Sequence, residues 1–217
     1  MRLTIVADDY GYSPAYDAGI LEAVKAQAVD AVGAMVLREP DPGPLLAASA
    51  ARAVRVGLHL EPPALASPNE QLAEFGCIFG VLPAFLDGHH HCHSADGVSE
   101  QVTALARRLE LPVRSVASAH RRFLRERGVN TADRLVGRLD EEEDALPEEI
   151  AAWLEADRPA RTEADGLTEW MVHPGHPDPD SGSSYDAGRG EDLALLLDLG
   201  DRAAWRVRGV VRVSPGS

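Results

Sequence analysis

Between Leu86 and Ser94 the chain reads Leu-Asp-Gly-His-His-His-Cys-His-Ser, and four of its eight histidines fall in the five positions from His89 to His93. Neutral imidazole is the commonest side-chain metal ligand. In extended chain, His89 and His91 face the same way with Cα atoms roughly 6.6 Å apart, close enough to share an ion. In a helical turn His89 and His93 approach instead, to about 6 Å. The spacing leaves both pairings open, and His89 belongs to each. The tract is internal, so a terminal purification tag does not explain it. A histidine-rich surface loop is the plain alternative to a metal or catalytic site.

Other residues carry similar chemistry. Asp8-Asp9 reads either as a turn with a capping carboxylate or as a division of labour, one carboxylate binding a cation while the other holds or deprotonates water. His59, in Gly57-Leu58-His59-Leu60, is either a buried histidine bonded to backbone or a ligand. Asp87 has the type needed to orient an imidazole, since ligand histidines usually donate their second N–H to a carboxylate or carbonyl. His173-Pro174-Gly175 is either a simple turn or the source of a general acid or further ligand. His120, beside Arg121 and Arg122, reads as a solvated helix residue. Cys92 reads as a small buried hydrophobe, and Met35 and Met171 as core.

These groups need elements to position them. Leu3–Ala7 reads as a buried strand ending at Asp8-Asp9. Ser13-Pro14 supplies an N-cap and a first-turn proline for a helix from about Ala15 to Ala26. Further strands are expected at Val32–Leu37, Val54–His59, Val81–Leu86, Pro112–Val116, Thr168–Val172 and Val207–Val213. Helices are expected at Leu45–Ala53, Glu70–Phe75, Gly97–Leu109, His120–Arg127, Glu148–Leu154 and Asp192–Leu199. Alternation of this kind implies a parallel sheet covered by helices, in one domain spanning residues 1–217. Asp8-Asp9, His59, Asp87/His89 and His173 would each stand at the C-terminal end of a different strand. In a parallel barrel, or in an open sheet, those ends form the functional face.

The formal net charge of −14 argues against nucleic-acid or anionic-membrane partners. The acidic run Asp140–Asp144 reads as a solvated loop. Two cysteines without a CxxC pair suggest a reducing cytosol, and the chain opens into a strand without a hydrophobic leader. A cytoplasmic protein, with homo-oligomerisation left open, is the expectation. No phosphate-binding glycine loop and no G-x-S-x-G elbow is present.

Taken together, Val6-Ala7-Asp8-Asp9-Tyr10-Gly11, Gly57-Leu58-His59-Leu60, Leu86-Asp87-Gly88-His89-His90-His91-Cys92-His93 and His173-Pro174-Gly175 resemble the YdjC-like carbohydrate deacetylase family, in that family's order. Pro112-Val113-Arg114, Gly128–Asp133 and Tyr185…Arg189…Glu191-Asp192-Leu193 add weaker echoes. The resemblance implies a distorted (β/α) barrel of about seven parallel strands with its active site at the C-terminal strand ends. It implies a divalent-metal-dependent deacetylase acting on small N-acetylated carbohydrates. By position, the metal ligands would be Asp9, His59 and His89, the general base Asp8 and the acid His173. Asp87, His93 and Arg114 would stand behind the ligands or touch substrate. After His59 the chain departs from the family, with Glu61-Pro62-Pro63 in place of a polar run and a short segment from Leu65 to Gln71.

The expected chemistry is metal-assisted amide hydrolysis. Magnesium is the family habit, whereas two imidazoles and a carboxylate suit zinc, cobalt or nickel better by ligand type. Two other readings remain open. One is a metal-dependent barrel hydrolase for phosphoesters or ureido groups, which the single lysine, Lys25, does not favour for phosphate. The other is a non-catalytic metal- or sugar-binding module.

Overall fold

The computed structural model describes residues 2–52, 54–137, 166–200, 211–213 and 215. The acidic run at 140–144 and the helix expected at 148–154 lie outside these residues. Strand β1 (Arg2–Tyr10) is followed by α1 (Pro14–Lys25), β2 (Ala31–Ala34), α2 (Pro42–Arg52), β3 (Arg55–Leu60), α3 (Pro68–Phe79) and β4 (Leu86–Gly88). A 3-10 segment, His89–Ser94, leads to α4 (Val98–Leu109) and α5 (Ser118–Glu126). Strands β5 (Arg134–Val136) and β6 (Leu167–Val172), helix α6 (Asp186–Leu199) and the two-residue β7 (Val211–Arg212) complete the order.

All strand pairings are parallel, in the order β4-β3-β2-β1-β6-β5. Six strands form this path, and β7 pairs off it with Arg2 and Leu3 of β1. The sheet curls, and irregular chain joins its two edges. Arg114 N–H donates to Leu86 O at 3.0 Å, Val113 N–H to Asn130 O at 2.9 Å, and Asp133 N–H to Leu167 O at 2.8 Å. The result is the distorted β/α barrel that the family resemblance implied, with six strands on its path rather than about seven.

Period-two alternation divides the side chains of β1. Leu3, Ile5 and Ala7 join the large core between sheet and helices, while Val6 packs with Ala31 and Phe85 in a small cluster inside the curl. Glycines clear that interior. A Cβ on Gly57 would meet the Phe85 ring, and one on Gly33 would lie 3.2 Å from His59 Nδ1. The helices are set by local signals. Ser13 Oγ accepts from Tyr16 N at 3.4 Å with Pro14 opening α1, and Ser67 and Glu70 form a capping box on α3.

Several expected boundaries moved. The strand expected at Val81–Leu86 begins only at Leu86, and Val81 and Leu82 are exposed. Pro83 lacks the N–H a ladder needs. The strand expected at Pro112–Val116 is reduced to one bridge, Leu86 with Val113. The three-residue β5 was not expected, being too short to show a period. β1 runs three residues past Ala7, and α6 starts six residues before Asp192. Among the described residues, no helix is long and apolar enough to cross a membrane.

Candidate active site

Adjacent residues on a regular strand face opposite ways, yet Asp8 and Asp9 both turn inward. From Ala7 to Tyr10 β1 advances three residues, while its partner β2 advances two, from Val32 to Ala34. The extra residue is a bulge, and Asp9 adopts φ 73° to accommodate it. Bulges re-aim side chains, and Asp tolerates left-handed backbone better than most residues. Both carboxylates are 1% exposed.

Asp9, His59 and His89 come together from β1, β3 and the end of β4. Each offers one donor atom, and the three atoms lie within 4.8 Å of one another. Asp9 Oδ1 is 3.2 Å from His59 Nε2 and 2.9 Å from His89 Nδ1. On its other side His59 Nδ1 meets Asp87 Oδ1 at 2.8 Å. It is the contact that the orienting role read from the sequence for Asp87 requires. Gly88, between Asp87 and His89, packs so tightly that a Cβ would sit 2.9 Å from Cys92 Sγ.

Neither local histidine pairing is the one formed. His90 and His91 take left-handed backbone angles, φ 47° and 56°, so the tract is neither extended nor a regular helical turn. His89 meets His59 instead, with ring centroids 5.9 Å apart. His93 is fully buried and its Nε2 contacts Arg114 O at 3.1 Å. His91 lines the cleft, and burial lowers its pKa to about 4, keeping the ring neutral. His120 is half-buried rather than solvated, its ring 5.7 Å from that of His93.

Two guanidiniums organise the acids. Arg114 grips Asp8 with Nη1 to Oδ2 at 2.5 Å and Nη2 to Oδ1 at 2.9 Å. Its Nη2 also pairs with Asp87 Oδ2 at 2.9 Å, and its Nε with Glu169 Oε1 at 2.5 Å. Arg114 is 2% exposed and stands behind the cleft rather than in it. Arg189, from α6, donates to Asp9 Oδ2 at 2.6 Å and lies over the Tyr16 ring at 3.9 Å. Glu169 and Arg189 were not among the residues expected at the site. Arg189 stood in one of the weaker family echoes, the only sequence signal for it.

Burial, the largest single influence, would raise the pKa of Asp8, but Arg114, His59 and His173 together outweigh it and hold the group at about 2. Burial also opposes charge on His59, yet Asp87 and Asp8 raise its pKa well above the usual imidazole value. Four acids, Asp8, Asp9, Asp87 and Glu169, face two guanidiniums, Arg114 and Arg189, and this surplus of acid is what draws a proton onto His59. Buried charge demands a counter-charge. One carboxylate and two imidazoles offered together fit a divalent cation.

Above this cluster lies a cleft of about 290 Å³, walled by Tyr12, Met171, His173, Gly182–Tyr185 and Arg189. His173 Nε2 is 4.0 Å from Asp8 Oδ2. Its ring meets Tyr185 edge-on at 5.4 Å, and its backbone N–H donates to Asp192 Oδ2 at 2.8 Å. Burial is the main influence on His173 and lowers its pKa, against the opposing pull of Asp9 and Asp8.

The family model described as YdjC-like protein matches residues 2–62 and 66–205. The chain belongs to the YdjC-like family. A carbohydrate deacetylase from Geobacillus stearothermophilus is 27% identical to this YdjC-like chain over a 246-residue alignment, covering 94% of this chain and 92% of that protein. A carbohydrate deacetylase from Clostridium beijerinckii is 29% identical over 148 residues, covering 54% of this chain and 60% of that protein. Among solved structures, a putative cellobiose-phosphate cleavage protein from Enterococcus faecalis shares the fold. Its TM-score is 0.76 at 23% identity, over 98% of this chain and 97% of that one.

Proposed function

We propose that this YdjC-like protein is a hydrolase that removes acetyl groups from N-acetylated sugars, using a divalent cation at Asp9, His59 and His89. The observation that carries this reading is the convergence of those three donors at the floor of a cleft, with Asp8 and His173 beside them. The sugar part rests on relatives called carbohydrate deacetylases. Among the described residues lining the cleft, the one guanidinium is Arg189, already engaged by Asp9. That leaves little to hold a phosphate, and favours the amide over a phosphoester.

A divalent cation bound there supplies Lewis acidity, polarising the acetyl carbonyl and making water a stronger acid. Two imidazoles and one carboxylate suit zinc better than magnesium. Asp87 fixes the tautomer and direction of His59. Arg189 occupies Asp9 Oδ2 and leaves Oδ1 to face the histidines. Arg114 keeps Asp8 ionised and immobile, so Asp8 Oδ2 is ready to take a proton from the attacking water. His173 Nε2 stands 4.0 Å from Asp8 Oδ2, so the proton would pass between them through one bridging water. The lowered pKa of His173 makes it a ready donor to the amine nitrogen as the C–N bond breaks.

The test is metal analysis combined with acetate release from N-acetylglucosamine oligomers. Wild-type protein is expected to bind one equivalent of divalent cation and release acetate. His59→Ala and His89→Ala are expected to lose both. If both variants keep metal and turnover, the ligand assignment is wrong.

A further inference from the structure

A β/α barrel usually fills its interior with layered side chains. In this protein the filling stops at Arg114. Below it, toward the N-terminal strand ends where Arg2 opens β1 and Leu167 opens β6, lies a second cavity of about 450 Å³. Phe85, Val113, Val129 and Leu167 give it apolar walls. Arg2 and Arg125 line its mouth, Arg125 paired with Asp133 at 2.6 Å. The inner end is polar. Thr4 shares the inward face of β1 with Val6, and Glu169 is its register partner on β6. Thr4 is 1% exposed and its Oγ1 has no hydrogen-bond partner; Thr131 Oγ1 is likewise buried and unpartnered. Glu169 gives Oε1 to Arg114, and its Oε2 has no partner among the described residues. Buried polar atoms are seldom left in this way. None of the three serves the chemistry in the cleft.

We infer that this lower cavity binds a small primary amine, its ammonium head against Glu169 and Thr4 and its hydrocarbon body against the apolar walls. The nitrogens of Arg114 are spent on Asp8, Asp87 and Glu169. The inner end therefore offers a carboxylate oxygen and hydroxyls, and no cationic donor. A ligand head must donate there, which an ammonium does with three N–H groups and a carboxylate cannot do. One guanidinium shared among three carboxylates leaves Glu169 short of counter-charge, so a cationic head is favoured over a neutral one. Small-molecule sites span roughly 300–1,000 Å³, a range that includes this cavity. Arg114 stands between the cavity and the cleft, so the inference is independent of the deacetylase reading.

The experiment is calorimetry of the full chain at neutral pH with n-hexylamine, n-hexanol and hexanoate, using wild type, Thr4→Val and Glu169→Gln. Wild type is expected to bind hexylamine about tenfold more tightly than hexanol, and hexanoate least. Thr4→Val keeps the side-chain shape and removes the hydroxyl. It is expected to weaken hexylamine about tenfold, the effect of one hydrogen bond to a charged group. Glu169→Gln is expected to bring hexylamine down to the affinity of hexanol. Should Glu169→Gln fail to fold without its pairing to Arg114, Thr4→Val decides alone. No measurable binding of hexylamine overturns the inference, and so does equal affinity for hexylamine and hexanol. Hexylamine binding that Thr4→Val leaves unchanged places the amine elsewhere and overturns it too. None of these readouts needs turnover, so they stand or fall apart from the deacetylase reading.

Discussion

Arg114 holds Asp8 by both carboxylate oxygens from a position 106 residues away in sequence. The same guanidinium reaches Asp87 and Glu169, so one cation ties β1, β4 and β6 together inside the barrel. Removing one partner of such a buried set strands the others without a counter-charge. Arg114→Met is therefore expected to lower unfolding free energy by about 3–5 kcal/mol. Arg114→Lys should recover only part of the loss, because an ammonium cannot form the two-pronged contact with Asp8. Urea unfolding of the three proteins checks both expectations. A Lys variant as stable as wild type would show that charge alone matters.

Asp87 touches His59 Nδ1 and not the cleft. Its effect should pass through the imidazole. Asp87→Asn leaves a group of the same shape but no charge to fix which ring nitrogen carries the proton. Metal affinity is expected to fall by about 10–100-fold, the usual cost of losing such an outer partner. Competition titration against a chelator of known affinity reads this directly. An unchanged affinity would mean that His59 is not a ligand or that its orientation is held by packing.

Asp17 accepts a hydrogen bond from Gly11 N–H at 2.6 Å, yet burial pushes its carboxyl from 3.8 up to about 6. The folded state thus holds a proton that the unfolded chain releases in that window. Stability contributed by the neutral form is complete below about pH 4 and is lost as pH rises through 6. Asp17→Asn removes this loss and keeps an acceptor for Gly11. It is expected to stabilise the protein at pH 7 by on the order of 1 kcal/mol, reduced from the full shift because Asp17 is only partly buried. The gain should shrink toward zero at pH 4. Thermal melts across that range measure it, and a gain independent of pH would contradict the assignment.

Much of this site was readable from residue types at strand ends. Asp9, His59, Asp87 and His89 needed only parallel strands to converge, and alternation supplied those. The local geometry of the histidine tract was not readable. Spacing offers extended or helical pairs, whereas left-handed turns at His90 and His91 break both. Nor does the sequence mark the bulge that turns Asp8 and Asp9 to one side. Arg189 and Glu169 stayed hidden because their partners lie 180 and 55 residues away. An arginine on an alanine- and leucine-rich helix gives no sign that it ends on a carboxylate of the first strand. Pro83 did carry a usable signal, since a proline inside an apolar run argues against an inner strand.

Gly19 tests how far the position of His173 depends on close backbone contact. It lies mid-helix in α1, where replacing glycine by alanine ordinarily adds about 0.5–1 kcal/mol of stability. Here a Cβ would stand 2.6 Å from Gly175 Cα and 2.8 Å from Gly175 C, both backbone atoms with nowhere to rotate. The loop beside it is pinned from two sides, His176 N–H donating to Ala15 O and Gly175 N–H to Arg189 O, each at 3.2 Å. The added methyl must push this loop off α1, which reverses the sign of the helix-propensity gain. Gly19→Ala is expected to lose about 1–3 kcal/mol, the usual range for overpacking. It should also displace His173 from Asp8 and lower kcat for acetate release by tenfold or more, since misplacing a catalytic group by about 1 Å can cost 10²-fold. Metal content should stay normal, because Asp9, His59 and His89 lie on other elements. Measuring stability, kcat and bound metal on the same preparation separates the two effects. A variant more stable than wild type with unchanged kcat would show that the loop yields freely and that α1 does not set the position of His173.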